Sequence, residues 1–449
     1  MSAKPTANPL ESLVDIISTQ TALLQSLYAK NSAEVPTLDA PLQFNALEFD
    51  PELTAVRTLI VAAATHLIAT VQSPLQFTAN SLGGLYDNVA LGLVVDINVP
   101  EILKEAGDEG LHVDELASAT GVSSSYLARV FRYLITRHIF REVSPDVFAH
   151  NRLSSLLTKT KTLKEIKEEP NARFDDAPIA ASVYMGSTQI LNSSTAMISF
   201  IKNPQQASAP FNIAYKTSKT MFEWMEEPGN ELLARVFTAA MKMNANEPTE
   251  TYTRGIEGDA LKPNDVIVDV GGGPGSVTSA IQKAYPKLRY VVQDLDPQIA
   301  AAKRFWEEND PEAIRTGQVQ LQVHDFFKTQ PIEGAAVYFL CVVIHDWSDE
   351  DSRKILTNLR SAAGAHSKLI LFEMVTEHII KDSATTPYPL QPNFANGFMT
   401  ILDLAMLSFY NGKERTREEY GKLGRECGWE LKEVKSGPGK LSALIFTPV

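Results

Sequence analysis

Cysteine is nearly absent: the chain of 449 residues carries two, Cys341 and Cys427. Two thiols cannot build the bridge framework of a small secreted domain, and their scarcity suits a reducing cytosol. Basic charge is also short. Lys and Arg number 41 against 54 Asp and Glu, a formal net charge of -13, which argues against a nucleic-acid surface and against anionic membranes. The longest apolar run, Leu59 to Val71, is broken by Thr65, His66 and Thr70 and reads as too short and too polar to span a bilayer. The opening MSAKPTANPL lacks the apolar stretch of a secretory signal. No H-E-x-x-H or Cys/His ligand spacing occurs, so no metal is expected. A soluble cytoplasmic protein is the expectation.

What is present divides by texture. The length exceeds what one core fills, which predicts two or three domains, placed at 1–165, 166–250 and 251–449. In the first, Leu10, Leu13, Val14, Ile17, Leu24 and Leu27 recur at helical spacing, as do Leu53, Val56, Ile60, Ala63, Leu67 and Val71. Such broad apolar faces need a partner, either a second subunit or the rest of the chain. From about 105 to 155 the pattern is helix, Gly121, a second helix capped by Ser123 to Ser125, then a hairpin around Ser144-Pro145-Asp146. That is the order of a winged helix. Arg129, Arg132, Arg137, Arg141 and Arg152 are nearly balanced by Asp114, Glu115, Glu142 and Asp146, so the basic footprint of a DNA reader is missing and a scaffold or dimerisation role is expected.

After Leu261 strands alternate with helices, the mark of a parallel sheet. Candidate strands are Val266–Val270, Leu288–Gln293, Val319–Val323, Val337–Val343 and Leu369–Phe372. Trp429–Val434 and Leu441–Thr447 then close the chain around Gly437-Pro438-Gly439, too close for a helix between them, so an antiparallel hairpin should end the sheet.

VIVDVGGGPGSVTSAI is a strand, a glycine turn and a helix. Gly271, Gly272, Gly273 and Gly275 suit close approach of a nucleotide-like ligand. The dinucleotide fingerprint fails, because its third glycine falls on Ser276 and Pro274 removes an amide. Asp269 before the glycines would repel a pyrophosphate but attract a cation. Asp294 ends the next strand, where a carboxylate accepts ribose hydroxyls. His324-Asp325-Phe326-Phe327 ends another, with a carboxylate for an adenine amine and an aromatic to cover the ring. A nucleoside without phosphate and with a positive centre fits S-adenosylmethionine.

In order and spacing, VDVGGGPGS, VVQDLD, HDFF, IHDWSDEDS, LFEMV and NGKERTREEY resemble the plant-type and fungal small-molecule O-methyltransferases of the caffeic-acid O-methyltransferase kind. HDWSDE and GKERT are the most specific parts, and the resemblance runs from about residue 90 to the end. It implies an α/β fold: a Rossmann-like class I methyltransferase sheet behind an α-helical N-terminal dimerisation domain containing the winged-helix segment, in a homodimer of secondary metabolism. It implies that Gly271, Gly273 and Asp294 hold S-adenosylmethionine, with Asp325 and Phe326 at the adenine and Trp347 near it, S-adenosylhomocysteine being the product. It implies His345 as catalytic base, with Glu373 and Glu414 assisting. Plant members often carry a cofactor-contacting lysine where this chain has Cys341. An acceptor pocket between the sheet and the middle helices is implied, with Phe222, Trp224, Met241, Met399, Asp403 and Met406 as positional candidates.

A sulfonium donor is already activated, so the protein must align the acceptor oxygen and remove its proton. With a phenol near pKa 10 and imidazole near 6.5, full transfer costs on the order of 5 kcal/mol, which neighbouring carboxylates reduce. An aliphatic alcohol widens the gap, so a phenolic or enolic acceptor is favoured: a flavonoid, polyketide or lignin-type phenol. The alternatives are a cofactor-binding member of the fold with a non-methylating, pericyclase-like reaction, a metabolite-sensing winged-helix regulator, and a nicotinamide dehydrogenase.

Overall fold

The computed structural model describes residues 8–242, 247–378, 390, 397–437 and 439–449. Two long helices, Pro9–Lys30 and Pro51–Val71, open it. Each starts on a proline behind a cap: Asn8 Oδ1 accepts the Leu10 N–H at 3.0 Å and Asp50 Oδ1 the Leu53 N–H at 2.9 Å, a favoured helix start. The two apolar stripes meet each other. Leu13 packs with Ala62 and Ala63, and Leu27 and Tyr28 with Leu53 and Val56. The second helix corrects one expectation: at 21 residues it is long and apolar enough to cross a membrane by length and composition. Burial of Leu53, Val56, Ala62 and Ala63 and the bond from Arg57 to the Tyr28 hydroxyl mark it as two-faced.

The winged-helix order is present as helices Val113–Thr120 and Ser124–Thr136 with strands β1 (Leu111–His112), β2 (Arg141–Ser144) and β3 (Val147–Ala149), in the antiparallel order β1-β3-β2. Its core is aromatic: Phe131 stacks on Phe148 with ring centres 4.3 Å apart. Four of its arginines are engaged by acids, Arg132 with Asp146, Arg137 with Asp87, Arg141 with Asp108 and Arg152 with Glu48. Guanidinium groups committed to carboxylates make no phosphate-binding stripe.

Among the described residues, 8–198, 211–242, 390 and 397 form one compact unit, and 199–210, 247–378 and 398–449 form another. The helices of the 166–250 stretch divide between the two.

The second unit is built on a seven-stranded sheet. Its strands are β4 (Val266–Val270), β5 (Arg289–Asp294), β6 (Val319–Val323), β7 (Val337–Cys341), β8 (Lys368–Glu373), β11 (Trp429–Lys435) and β12 (Ser442–Pro448). A short parallel pair, β9 (Val375–Thr376) and β10 (Arg415–Thr416), lies apart. The order is β11-β12-β8-β7-β4-β5-β6. β4 to β8 run parallel, while β12 and β11 form the expected antiparallel hairpin at one edge; Pro438 of its turn lies outside the described residues. Side chains alternate into two cores. Val268, Val270, Tyr338, Leu340, Leu369 and Leu371 pack on one face, and Ile267, Tyr290, Val337, Phe339, Ile370 and Phe372 on the other, as a sheet covered on both sides requires. From β4 the chain moves out through β5 to β6, then returns to β7 on the other side of β4. That reversal makes the carboxyl ends of β4 and β7 the ligand-binding crevice of an open parallel sheet.

Candidate active site

β4 ends in the glycine loop, where Gly271, Gly273 and Gly275 have φ of 73°, 53° and 81°. Only glycine takes such values without strain. The Gly273 N–H donates to Asp294 Oδ2 at 2.8 Å and the Leu295 N–H to Asp294 Oδ1 at 2.7 Å. Asp294 therefore anchors the loop as well as ending β5; each oxygen keeps a second lone pair. Burial raises its carboxyl above the ordinary range. Asp269 is buried and accepts from Thr278 Oγ1 at 2.6 Å, while its Oδ1 has no protein partner. Burial pushes this carboxyl up to about 7.

Past β6, Asp325 Oδ1 accepts the Phe327 N–H at 2.9 Å, and Asn358 Nδ2 donates to the Phe326 carbonyl at 3.0 Å. The turn presents Phe326 and Phe327 to Trp347, both edge-to-face, with ring centres 5.7 and 4.8 Å away. Asp325, Phe326 and Trp347 thus gather on one crevice wall. The reciprocal amide pair of Gln293 and Gln330, at 2.8 and 2.9 Å, ties this turn to β5.

β7 stops at Cys341, two residues before the expected end, because Val342 takes φ of 56°. A β-branched residue there is strained. The kink is held by three bonds. The Val342 N–H donates to the Phe372 carbonyl at 2.9 Å, and the Val343 and Ile344 N–H groups donate to Glu373 Oε1 at 3.1 and 2.7 Å. Glu373 thus braces the backbone leading to His345 through Oε1, and its charge also acts on the imidazole.

His345 lies in a single turn, Ile344–Asp346, with 5% of its surface exposed. Its Nδ1 is 2.6 Å from Glu414 Oε1, and its Nε2 is 3.5 Å from Asp346 Oδ1. Burial pushes the imidazole down, yet Asp346, Glu414 and Glu373 overcome it and hold it up, at about 10. Burial also lifts Glu373 to about 7 and Asp346 to about 6. Ser348 caps the helix Asp349–Ala362, accepting the Asp351 N–H at 3.2 Å. The acidic run after Trp347 is therefore a helix start, where negative charge is favourable.

The acceptor candidates divide between the two units. Phe222 lies edge-to-face on Phe237, Trp224 packs on Phe211 and Tyr215, and Met241 is exposed, all in the first unit. In the second, Met399 packs on the sheet core, Met406 is buried, and Asp403 Oδ1 accepts the Glu414 N–H at 2.8 Å. Asp403 is thus a brace for Glu414. Burial pushes the Cys341 thiol well up, with Asp269 and Glu373 adding to the effect, so the thiol places no charge at this position. Sequence reading missed Asn358, Gln293, Gln330 and Arg415. Only the last had a signal, its place in GKERT.

Strand order, glycine loop and strand-end carboxylates define a methyltransferase of the Rossmann-like class. A family model described as an O-methyltransferase domain matches residues 196–430, and one for an O-methyltransferase dimerisation domain matches 79–160. An O-methyltransferase of Armillaria gallica is 34% identical over 451 residues, covering 95% of each chain. The 4-O-methyltransferase 1 of Phanerochaete chrysosporium is 32% identical, covering 94% of this chain and 95% of its own. Among solved structures, OxaC in complex with SAH and oxaline has a TM-score of 0.69 at 21% identity, over 98% of this chain and 99% of that one. A pericyclic reaction enzyme has 0.66 at 18%, over 97% and 100%; both share the fold. The chain belongs to the O-methyltransferase family and is an S-adenosylmethionine-dependent enzyme. The residues present fit that cofactor: the partnerless Asp269 Oδ1 is a buried carboxylate oxygen suited to a cationic donor, Asp294 has lone pairs for hydroxyls, and Phe326 and Trp347 offer ring faces.

Proposed function

We propose that this enzyme methylates a phenolic hydroxyl of a small aromatic metabolite, with His345 as general base, as a cytoplasmic homodimer. The observation that carries the reading is the His345–Glu414 bond of 2.6 Å at the end of β7. A carboxylate on Nδ1 fixes the tautomer and leaves Nε2 as the acceptor. S-adenosylmethionine supplies a methyl group already activated as a sulfonium. The acceptor O–H proton would pass to Nε2 as the oxygen takes the methyl group and the S–CH3 bond breaks to leave S-adenosylhomocysteine, with Glu414 and Asp346 placed to stabilise the imidazolium. With the imidazole held at about 10, the neutral ring takes a proton from a phenol near 10 with little thermodynamic gap, but below that pH the ring must first release its own proton. An aliphatic alcohol, several units weaker, leaves a gap of several kcal/mol. Relatives named for 4-O and 3-O transfer support a regiospecific oxygen acceptor.

The test is mass spectrometry of a panel of flavonoid, polyketide and lignin-type phenols incubated with enzyme and S-adenosylmethionine. Gain of one methyl group by a phenol, absent with His345→Ala, is expected. Methylation confined to amines, thiols or aliphatic alcohols would overturn the phenol assignment. An acceptor rearranged without mass gain would favour the pericyclase-like alternative.

A further inference from the structure

Arg415 is among the largest fully buried side chains, with 1% of its surface exposed. Burying a guanidinium is unfavourable unless each donor is matched, and here all five N–H groups have acceptors. Nη1 donates to the carbonyls of Ile344 at 3.0 Å and Lys413 at 3.2 Å. Nη2 donates to the Trp347 carbonyl at 2.9 Å, Asp349 Oδ1 at 2.7 Å and Ser352 Oγ at 3.3 Å, and Nε to Asp349 Oδ1 at 2.9 Å. Three of these acceptors are backbone carbonyls bracketing two residues. Ile344 opens the turn of His345 and Trp347 follows it, and Lys413 precedes Glu414.

We propose that Arg415 is a positioning residue for His345: its rigid fork locks together the turn that carries the imidazole and the segment before β10 that carries the imidazole's carboxylate. The inference rests on the reading of His345 as the base. Two further contacts join the same segments. The Lys413 N–H donates to the His345 carbonyl at 2.8 Å. Gly412 passes so close that a Cβ there would lie 2.2 Å from the same carbonyl oxygen, so this approach needs glycine. Asp403 fixes the Glu414 N–H from the far side, and register with Val375 and Thr376 of β9 fixes the strand itself. Within this frame Arg415 contributes what lysine cannot, a planar fork that spans carbonyls on both segments. Its counter-charge, Asp349, is half exposed at a helix start, so the pair is anchored on the solvent side and its carbonyl-binding side faces the turn.

A spectroscopic test is independent of the acceptor. In the S-adenosylmethionine complex the short Nδ1–H bond to Glu414 should give a proton resonance far downfield, identified by its loss in His345→Ala. Arg415→Lys should keep the fold, with cofactor Kd within about threefold, yet speed solvent exchange of that proton at least about tenfold, the scale of losing a hydrogen bond to a charged group. In turnover of a phenol from the panel, kcat should fall by a similar factor with the cofactor KM unchanged, and Arg415→Lys should add no loss to His345→Ala. Unchanged exchange and kcat in Arg415→Lys would overturn the proposal, as would a loss that adds fully to that of His345→Ala. Should Arg415→Gln fail to fold, Arg415→Lys still decides. Activity of His345→Ala by itself bears on the base assignment, whereas proton exchange bears on Arg415.

Discussion

Asp346 Oδ1 stands 3.5 Å from His345 Nε2, the nitrogen that faces away from Glu414. The charge of this carboxylate leads the influences that raise the imidazole against its burial, followed by the hydrogen bond and charge of Glu414 and the charge of Glu373. A general base works only when neutral. In the wild type kcat/KM should therefore climb about tenfold per pH unit through the neutral range and level off near the free enzyme's imidazole pKa. Removing Asp346 as Asp346→Asn should move that limb to lower pH, further than Glu373→Gln does. Profiles of kcat/KM against pH for the three proteins check this, and a limb that stays put in Asp346→Asn would show that the carboxylate does not act on the ring.

Glu373 yields a prediction that separates backbone support from charge. Gln keeps an oxygen for the Val343 and Ile344 N–H groups, whereas Ala leaves both buried and unpaired. Each orphaned amide costs about 1–3 kcal/mol, and the strained Val342 turn loses its brace. Calorimetry should give Glu373→Ala a Tm several degrees below wild type, with Glu373→Gln much closer. Equal losses would place the effect in charge rather than in the turn.

The strands were readable because period-two alternation and β-branched residues mark them, as in VIVDV, and the glycine loop because only glycines permit those dihedrals. Aspartates at strand ends announced the cofactor side. The kink at Val342 was not readable: valine is a strand former, and only the bonds from Glu373 and Phe372 hold it otherwise. Arg415 was hidden in a run, KERTREEY, with the composition of a solvated helix face; its burial depends on the stretch from Ile344 to Ser352, 63 to 71 residues away in sequence. Whether Glu373 meets a ring or a backbone is a matter of side-chain direction that no periodicity encodes.

Asp269 should show effects of opposite sign. Its folded pKa of about 7 lies above the unfolded value of 3.8, so ionising it opposes folding. The penalty is absent below the unfolded value and complete above about pH 7, on the order of 4 kcal/mol. Asp269→Asn should therefore gain stability over the cofactor-free wild type as pH rises from 4 to 8, while binding S-adenosylmethionine more weakly. Chemical denaturation at several pH values and calorimetric titration measure the two effects. A pH-independent difference in stability would mean that burial does not penalise this carboxylate.

Asp294 accepts the Gly273 and Leu295 amides and, in the proposed reading, the cofactor's ribose, so its removal should act twice. Asp294→Ala should weaken S-adenosylmethionine binding by roughly 1.5–3 kcal/mol, the range for hydrogen bonds to a charged group. It should also release the Gly273 amide, seen as faster hydrogen exchange at the loop without cofactor. Unchanged affinity in a titration would put the ribose elsewhere.

Leu85, Tyr86 and Val89 are all exposed on the helix Gly84–Asp96, with Val89 three and four residues after Tyr86 and Leu85, the spacing of one helix face, and the exposed Leu82 lies in the turn just before it. They lie within the matched dimerisation region, 79–160. An apolar stripe of this kind on a chain of net charge -13 is unfavourable in water and favourable against a second copy. Light scattering should therefore give twice the chain mass of 49.4 kDa at micromolar concentration. The double variant Leu85→Lys, Val89→Lys sets a cation pair on each copy's stripe and should shift the mass toward the monomer. Because the dimer is linked to folding by mass action, the wild-type Tm should rise with protein concentration and that of the double variant should not. A dimer that persists with unchanged mass and concentration dependence in the double variant would place the interface on another face.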